Sequence, residues 1–166
     1  MLRLRCMLLL TMLLVFLQEV MAQASSFSFN ATIGVATPVV DNGVALHLGF
    51  NPAYALSSRF SVEGQLSYLR TQITGSFLSG NKGHNNSVNL LAGGRLYLNA
   101  EEKNTRIYLN ALLGGTYSRE TINEQKRDGI LGLGFSGGLH FSFSSWVIGV
   151  SLDTPQHLLL KAGYTF

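Results

Sequence analysis

The chain has 166 residues, enough for one domain, and only 13% of them are charged, against roughly 25% in soluble domains. Twelve basic residues face nine acidic ones, a formal charge of +3. So small an excess argues against a nucleic-acid partner.

Residues 1–24 differ from the rest. Met1 to Arg5 is a short basic stretch, Cys6 to Leu17 is densely apolar, and Ala22-Gln23-Ala24 supplies small residues. This order is that of a cleaved secretory signal peptide. The apolar run is too short to be a spanning helix, which takes about 20 residues. Cleavage removes Arg3, Arg5 and Glu19, leaving ten cations, eight anions and a charge of +2 on residues 25–166. It also removes Cys6, the only cysteine, so no disulfide or thiol chemistry is expected afterwards. Cys6 precedes the apolar run, which is the wrong side for the acylated cysteine of a lipoprotein.

From Phe27 onward apolar and polar residues alternate, the pattern of a strand with two unlike faces. The first predicted strand has Phe27, Phe29, Ala31, Ile33 and Val35 on one face. The second has Val44, Leu46, Leu48, Phe50, Tyr54 and Leu56. The third has Phe60, Val62, Gly64, Leu66 and Tyr68 against Ser61, Glu63, Gln65 and Ser67. The fourth runs from Val88 to Asn99, the fifth from Arg106 to Tyr117 and the sixth from Leu131 to Phe141. The seventh runs from Trp146 to Asp153 and the eighth from Leu158 to Phe166. Tight links at Ser57-Ser58-Arg59, Ala100 to Asn104 and Ser144-Ser145 alternate with connections at Thr37 to Asn42, Gly75 to Asn86, Arg119 to Asp128 and the short Thr154-Pro155-Gln156. The reading is all-β: an eight-stranded antiparallel up-and-down barrel over residues 25–166. Short turns and both termini lie at one end and the longer loops at the other.

The polar face decides whether such a barrel sits in water or lipid. A soluble surface carries about 25–35% charged residues. Here that face is Gly, Ser, Asn and Thr with a few charges: Glu63, Arg95, Arg106, Asp153 and Lys161. Nine glycines fall on it, at 34, 49, 93, 114, 132, 134, 138, 149 and 163. This composition suits a narrow lumen in which Arg95, Tyr97 and Tyr108 need room. The apolar face carries one charge, Arg70, near a loop end. The barrel is therefore expected to be transmembrane, in the outer membrane of a diderm bacterium, with both termini periplasmic. Aromatics gather at the turn end: Phe27, Tyr54, Phe60, Phe141, Trp146, Tyr164 and Phe166, an interfacial girdle. The opposite girdle is thinner, with Tyr68 and Tyr117.

The last strand, Leu158-Leu159-Leu160-Lys161-Ala162-Gly163-Tyr164-Thr165-Phe166, ends in Phe with an aromatic two residues before it. With the eight-strand pattern, this resembles the small outer-membrane β-barrel family of opacity-type and OmpA-type eight-stranded barrels, over residues 25–166. The resemblance implies that Tyr164 and Phe166 form the signal read by the barrel-assembly machinery. It also implies contact with outer-membrane lipid, including lipopolysaccharide. No periplasmic domain is expected after Phe166, so no cell-wall tether is implied.

Candidate chemistry lies on the inward face. Glu63 and Arg95, at similar depth on adjacent strands, are expected to pair, with Lys161 or Gln65 nearby, because buried charges need partners. Such a cluster either plugs the lumen or gates a narrow pore for small solutes. Eight strands leave an interior just wide enough for side chains, which favours the plug. His140 and Ser142 share a face, similar to the His-x-Ser of a lipid A deacylase family. The only acid downstream is Asp153, at the far end of its strand, so an orienting third member is missing. His47, His157 and Asp153, all inward and toward the loop end, could ligate a transition metal or be hydrogen-bonded lumen residues. The glycines at 132, 134, 137 and 138 alternate within a strand and lack the strand–turn–helix setting of a dinucleotide site. A non-enzymatic barrel without cofactor is expected, with a structural role or a surface role through loops holding Phe77-Leu78 and Arg119 to Asp128. The loop ligand stays open.

Overall fold

The computed structural model describes residues 27–38, 43–74, 82–99, 105–154 and 157–166. The expected signal segment 1–24 lies outside these residues, as do Phe77 and Leu78. The strands are β1 (Phe27–Pro38), β2 (Gly43–Ala55), β3 (Phe60–Thr74), β4 (Lys82–Tyr97), β5 (Thr105–Ile122), β6 (Gln125–Lys126), β7 (Ile130–Phe143), β8 (Trp146–Asp153) and β9 (His157–Thr165). Each long strand pairs antiparallel with its neighbours, and β1 pairs with β9 to close the wall. The two residues of β6 pair only with the tip of β5. Eight staves therefore form an up-and-down barrel, and closure leaves no edge along its girth.

One ring of partners fixes the geometry. It runs Phe27, Tyr54, Val62, Gly94, Ala111, Gly137, Leu152, Leu158 and returns to β1 at Thr37. The return is ten residues along β1 from the start, which is the shear of the barrel. With a rise of ~3.3 Å per residue and strands ~4.8 Å apart, that shear tilts the staves by about 40°.

The faces are inverted relative to a soluble protein. Among the described residues the buried set holds nineteen polar or charged residues and nine apolar ones. The wall exposes Ile33, Leu46, Leu90, Leu113, Leu133 and Leu160, each more than half accessible. In water such a surface would be unstable; in a bilayer it is the favourable one. The molecule is a transmembrane barrel with its polar residues inside. Leu69, Leu91, Leu112 and Leu159 also point inward and are fully buried, apolar residues at positions of the polar face.

The turn end is compact. Ser57 Oγ accepts from the Arg59 and Phe60 amides at 3.3 and 3.1 Å, tightening the β2–β3 link. At the loop end the strands run further than the hydrophobic pattern indicates. Residues 83–86, expected in a loop, pair with residues 119–122 from Gly83↔Ile122 to Asn86↔Arg119. The segment Arg119 to Asp128 is likewise a hairpin, with Asn123 and Glu124 at φ 50° and 68°. Two successive positive φ values are those of a tight primed turn. Beyond the bilayer both faces of a strand meet water, so the alternation fades while the hydrogen-bond ladder continues. On the far side the wall is lower, because β8 stops at Asp153, opposite Ser136.

Candidate functional site

The site is the lumen. Ser61 pairs with Arg95 and Glu63 with Gly93 across β3 and β4, so the arginine and the glutamate start one step apart on the same inward face. Arg95 Nε donates to Glu63 Oε2 at 3.1 Å, with both side chains almost completely buried. Asn51 Nδ2, on β2, donates to Glu63 Oε1 at 2.9 Å and to Gln65 Oε1 at 3.3 Å. Gln65 Nε2 in turn donates to Ser67 Oγ and to Asp153 Oδ2, each at 3.1 Å. Asp153 Oδ2 also accepts from Lys161 Nζ at 2.8 Å, and its Oδ1 accepts from Ser136 Oγ at 2.7 Å. One continuous chain of polar contacts thus crosses the lumen from β4 through β3 and β2 to β8 and β9. Gln65 stands beside Glu63 through Asn51. Lys161, grouped with Glu63 and Arg95 in the sequence reading, takes Asp153 as its ion-pair partner.

Toward the turn end the polar chain rests on stacked rings. The Arg95 guanidinium lies 4.3 Å from the Tyr108 ring centroid, and the Arg106 guanidinium lies 3.6 Å from that of Tyr97. Tyr97 meets Tyr108 edge-on at 5.5 Å, and Tyr108 stacks on His140 at 4.8 Å. Arg106 Nη2 also donates to the Ser58 carbonyl at 2.8 Å, tying this stack to the β2–β3 turn. Toward the loop end Ala36, Ala45, Leu69 and Leu159 form a buried apolar cluster across the lumen. Between the stack and this cluster a cavity of about 10 Å³ lies among Asn51, Glu63, Tyr108, His140 and Lys161, room for about one water molecule.

The other candidates are placed as follows. His140 Nε2 is 3.2 Å from Asn110 Oδ1, so the ring is held by Tyr108 and an amide rather than by an acid. Asp153 is engaged by Lys161 and Ser136 and does not serve as the acid of a His140–Ser142 site. His47 Nε2 lies 3.9 Å from Asp153 Oδ2, whereas His157 Nε2 is 2.8 Å from Thr71 Oγ1. Among the described residues no group of three His, Cys, Asp or Glu is arranged to hold a metal, so His47, His157 and Asp153 do not make one.

On the outer wall the turn-end aromatics form contiguous pairs. Phe27 and Tyr54 are cross-strand partners with ring centroids 5.9 Å apart, and Trp146 and Tyr164 are partners at 5.4 Å. Tyr164 meets Phe166 at 5.1 Å. Phe60 and Phe141 are exposed on the same wall, and Phe143, which sequence reasoning passed over, is exposed beside Trp146. At the other end Tyr68, Val88 and Tyr117 are successive partners across β3, β4 and β5.

No protein-family model matches the chain, and no curated protein sequence does. Solved structures do. Ail of Yersinia pestis in a phospholipid bilayer nanodisc superposes with a TM-score of 0.57 at 20% identity, covering 86% of this chain and 100% of that one. The fold is that of the small eight-stranded outer-membrane barrels. The crystal structure of Ail in complex with the heparin analogue sucrose octasulfate gives 0.54 at 19% identity, with 85% and 97% covered. The outer membrane enzyme PagL gives 0.52 at 14% identity, with 82% and 97% covered. One barrel architecture thus carries both an attachment protein and an enzyme, so function has to be argued from side chains.

Proposed function

We propose that this chain is an integral outer-membrane protein of a diderm bacterium whose lumen is a structural plug. It contributes to envelope structure or to surface interaction through its loop end, and it is not an enzyme. The observation that carries this reading is the unbroken chain from Arg95 to Lys161, with rings below and the apolar cluster above. A conducting lumen needs a water path, and the cavity among the described residues at this level, about 10 Å³, has room for about one water molecule. His140, locked inside between Tyr108 and Asn110, has no access to a lipid ester.

The short turns and both termini face the periplasm in this reading, and the long β4–β5–β6 edge faces outward. Phe166 extends the β1–β9 seam, its amide donating to the Phe29 carbonyl at 2.9 Å. That position at the closing seam supports its part, with Tyr164, in recognition by the barrel-assembly machinery. The girdles and the apolar wall are the surfaces that meet outer-membrane lipid, lipopolysaccharide included.

The reading is tested by cysteine labelling in a diderm host that makes the full chain. A membrane-impermeant maleimide is expected to label Glu124→Cys in intact cells and Ser58→Cys only after lysis, with both variants in the outer-membrane fraction. The opposite labelling would invert the orientation, and absence from that fraction would overturn the reading.

A further inference from the structure

Above the tyrosine level the outer wall of β2 to β5 changes character within one step. The row Leu48, Tyr68, Val88, Tyr117 is apolar and aromatic, whereas the next row toward the loops is Leu46, Arg70, Asn86, Arg119. The row after that is Val44, Gln72, His84, Thr121. Tyr68 Oη donates to Asn86 Oδ1 at 2.6 Å, bridging the two zones. Arg70 and Arg119 are exposed on this wall, and the row holds no carboxylate. The guanidinium of Arg70 has no hydrogen-bond or ion-pair partner among the described residues. The neighbouring acid, Glu120, sits on the opposite face of β5 and pairs with Arg127 at 3.5 Å.

A cleft of about 430 Å³ opens on these rows, lined by Val44, Leu46, Arg70, Gln72, Gly83 and His84. Its β2 side, Val44 and Leu46, is aliphatic, and its β3–β4 side offers a guanidinium, an amide and an imidazole. An unpaired arginine on a lipid-facing wall is costly unless an anion meets it at the boundary. Guanidinium groups bind phosphate oxygens in pairs, so the anion that fits best is a phosphate carried on an apolar body.

We propose that this cleft binds the phosphorylated headgroup of an outer-leaflet glycolipid. Arg70 and His84 hold the phosphate, Gln72 donates to it, and Val44 and Leu46 pack against the first acyl carbons. Arg119 adds a second cation further along the same row. The assignment rests on the reading above that the loop end faces the outer leaflet.

The test uses the full chain folded in detergent micelles and titrated with diphosphoryl lipid A or with the same lipid after removal of its phosphates. The wild type is expected to bind the phosphorylated form at least about tenfold more tightly. Arg70→Gln combined with His84→Gln is expected to abolish that preference while melting like the wild type, since neither side chain has a hydrogen bond or ion pair among the described residues. Arg59→Gln, at the turn end, is expected to keep it. Equal affinity for the two lipids, or an unchanged preference in the double variant, would overturn the site. If the chain failed to fold in the micelles at all, the barrel reading would fall with it. A folded chain without phosphate preference would sink the site alone.

Discussion

Arg95 and Glu63 face each other across β3 and β4 at 3.1 Å inside the lumen, with both side chains almost completely buried. Glu63 is further fixed by Asn51, and Arg95 by the Tyr108 face. Removing one member of such a pair leaves the other buried and uncompensated, which costs about 3–5 kcal/mol. Glu63→Gln should therefore lower the unfolding free energy in urea by about 3 kcal/mol. Replacing both residues, Glu63→Gln with Arg95→Met, should recover most of that loss. A double variant as unstable as the sum of the single ones would mean that the two groups do not act as a pair.

The wall offers a second test. Ile33 lies mid-strand between Leu48 and Ala162 and is 61% exposed. On a soluble barrel an arginine there would be harmless. At mid-bilayer it should destabilise the folded state by about 2–4 kcal/mol. Equilibrium unfolding of Ile33→Arg from lipid vesicles measures this, and an unaltered midpoint would argue against a lipid-facing wall.

Two glycines separate space from mere flexibility. A Cβ on Gly93 would collide with the Ala111 carbonyl on the adjacent strand, whereas a Cβ on Gly115 would meet nothing within 4 Å. Gly93→Ala should destabilise the barrel by about 1–3 kcal/mol. Gly115→Ala should stay within about 0.5 kcal/mol of the parent. Thermal unfolding in the same detergent compares them directly.

Legibility in the sequence follows the bilayer. Lipid imposes an unbroken apolar phase on the outer face, so the eight staves, their direction and the side on which Glu63, Gln65, Arg95 and Lys161 lie are readable from alternation alone. The lumen imposes no single chemistry, only volume, so Leu69, Leu91, Leu112 and Leu159 interrupt the pattern without marking a strand end. Partners within the lumen depend on stave tilt and length. Asp153 is the last residue of its strand, which suggests the far rim. Because β8 is only eight residues long, that end reaches no higher than Lys161, Gln65 and Ser136 can meet it. Phe143 follows the same rule as the other girdle residues, yet it sits at a turn, where the two-residue period has already ended.

The most direct measurement of the central claim is single-channel current through the refolded barrel in a planar bilayer, with insertion verified independently. The arrangement of Arg95, Glu63, Gln65, Asp153 and Lys161 between the ring stack and the apolar cluster leads us to expect a silent membrane. Reproducible discrete steps, altered in size by Glu63→Gln, would contradict it and make the lumen a pore.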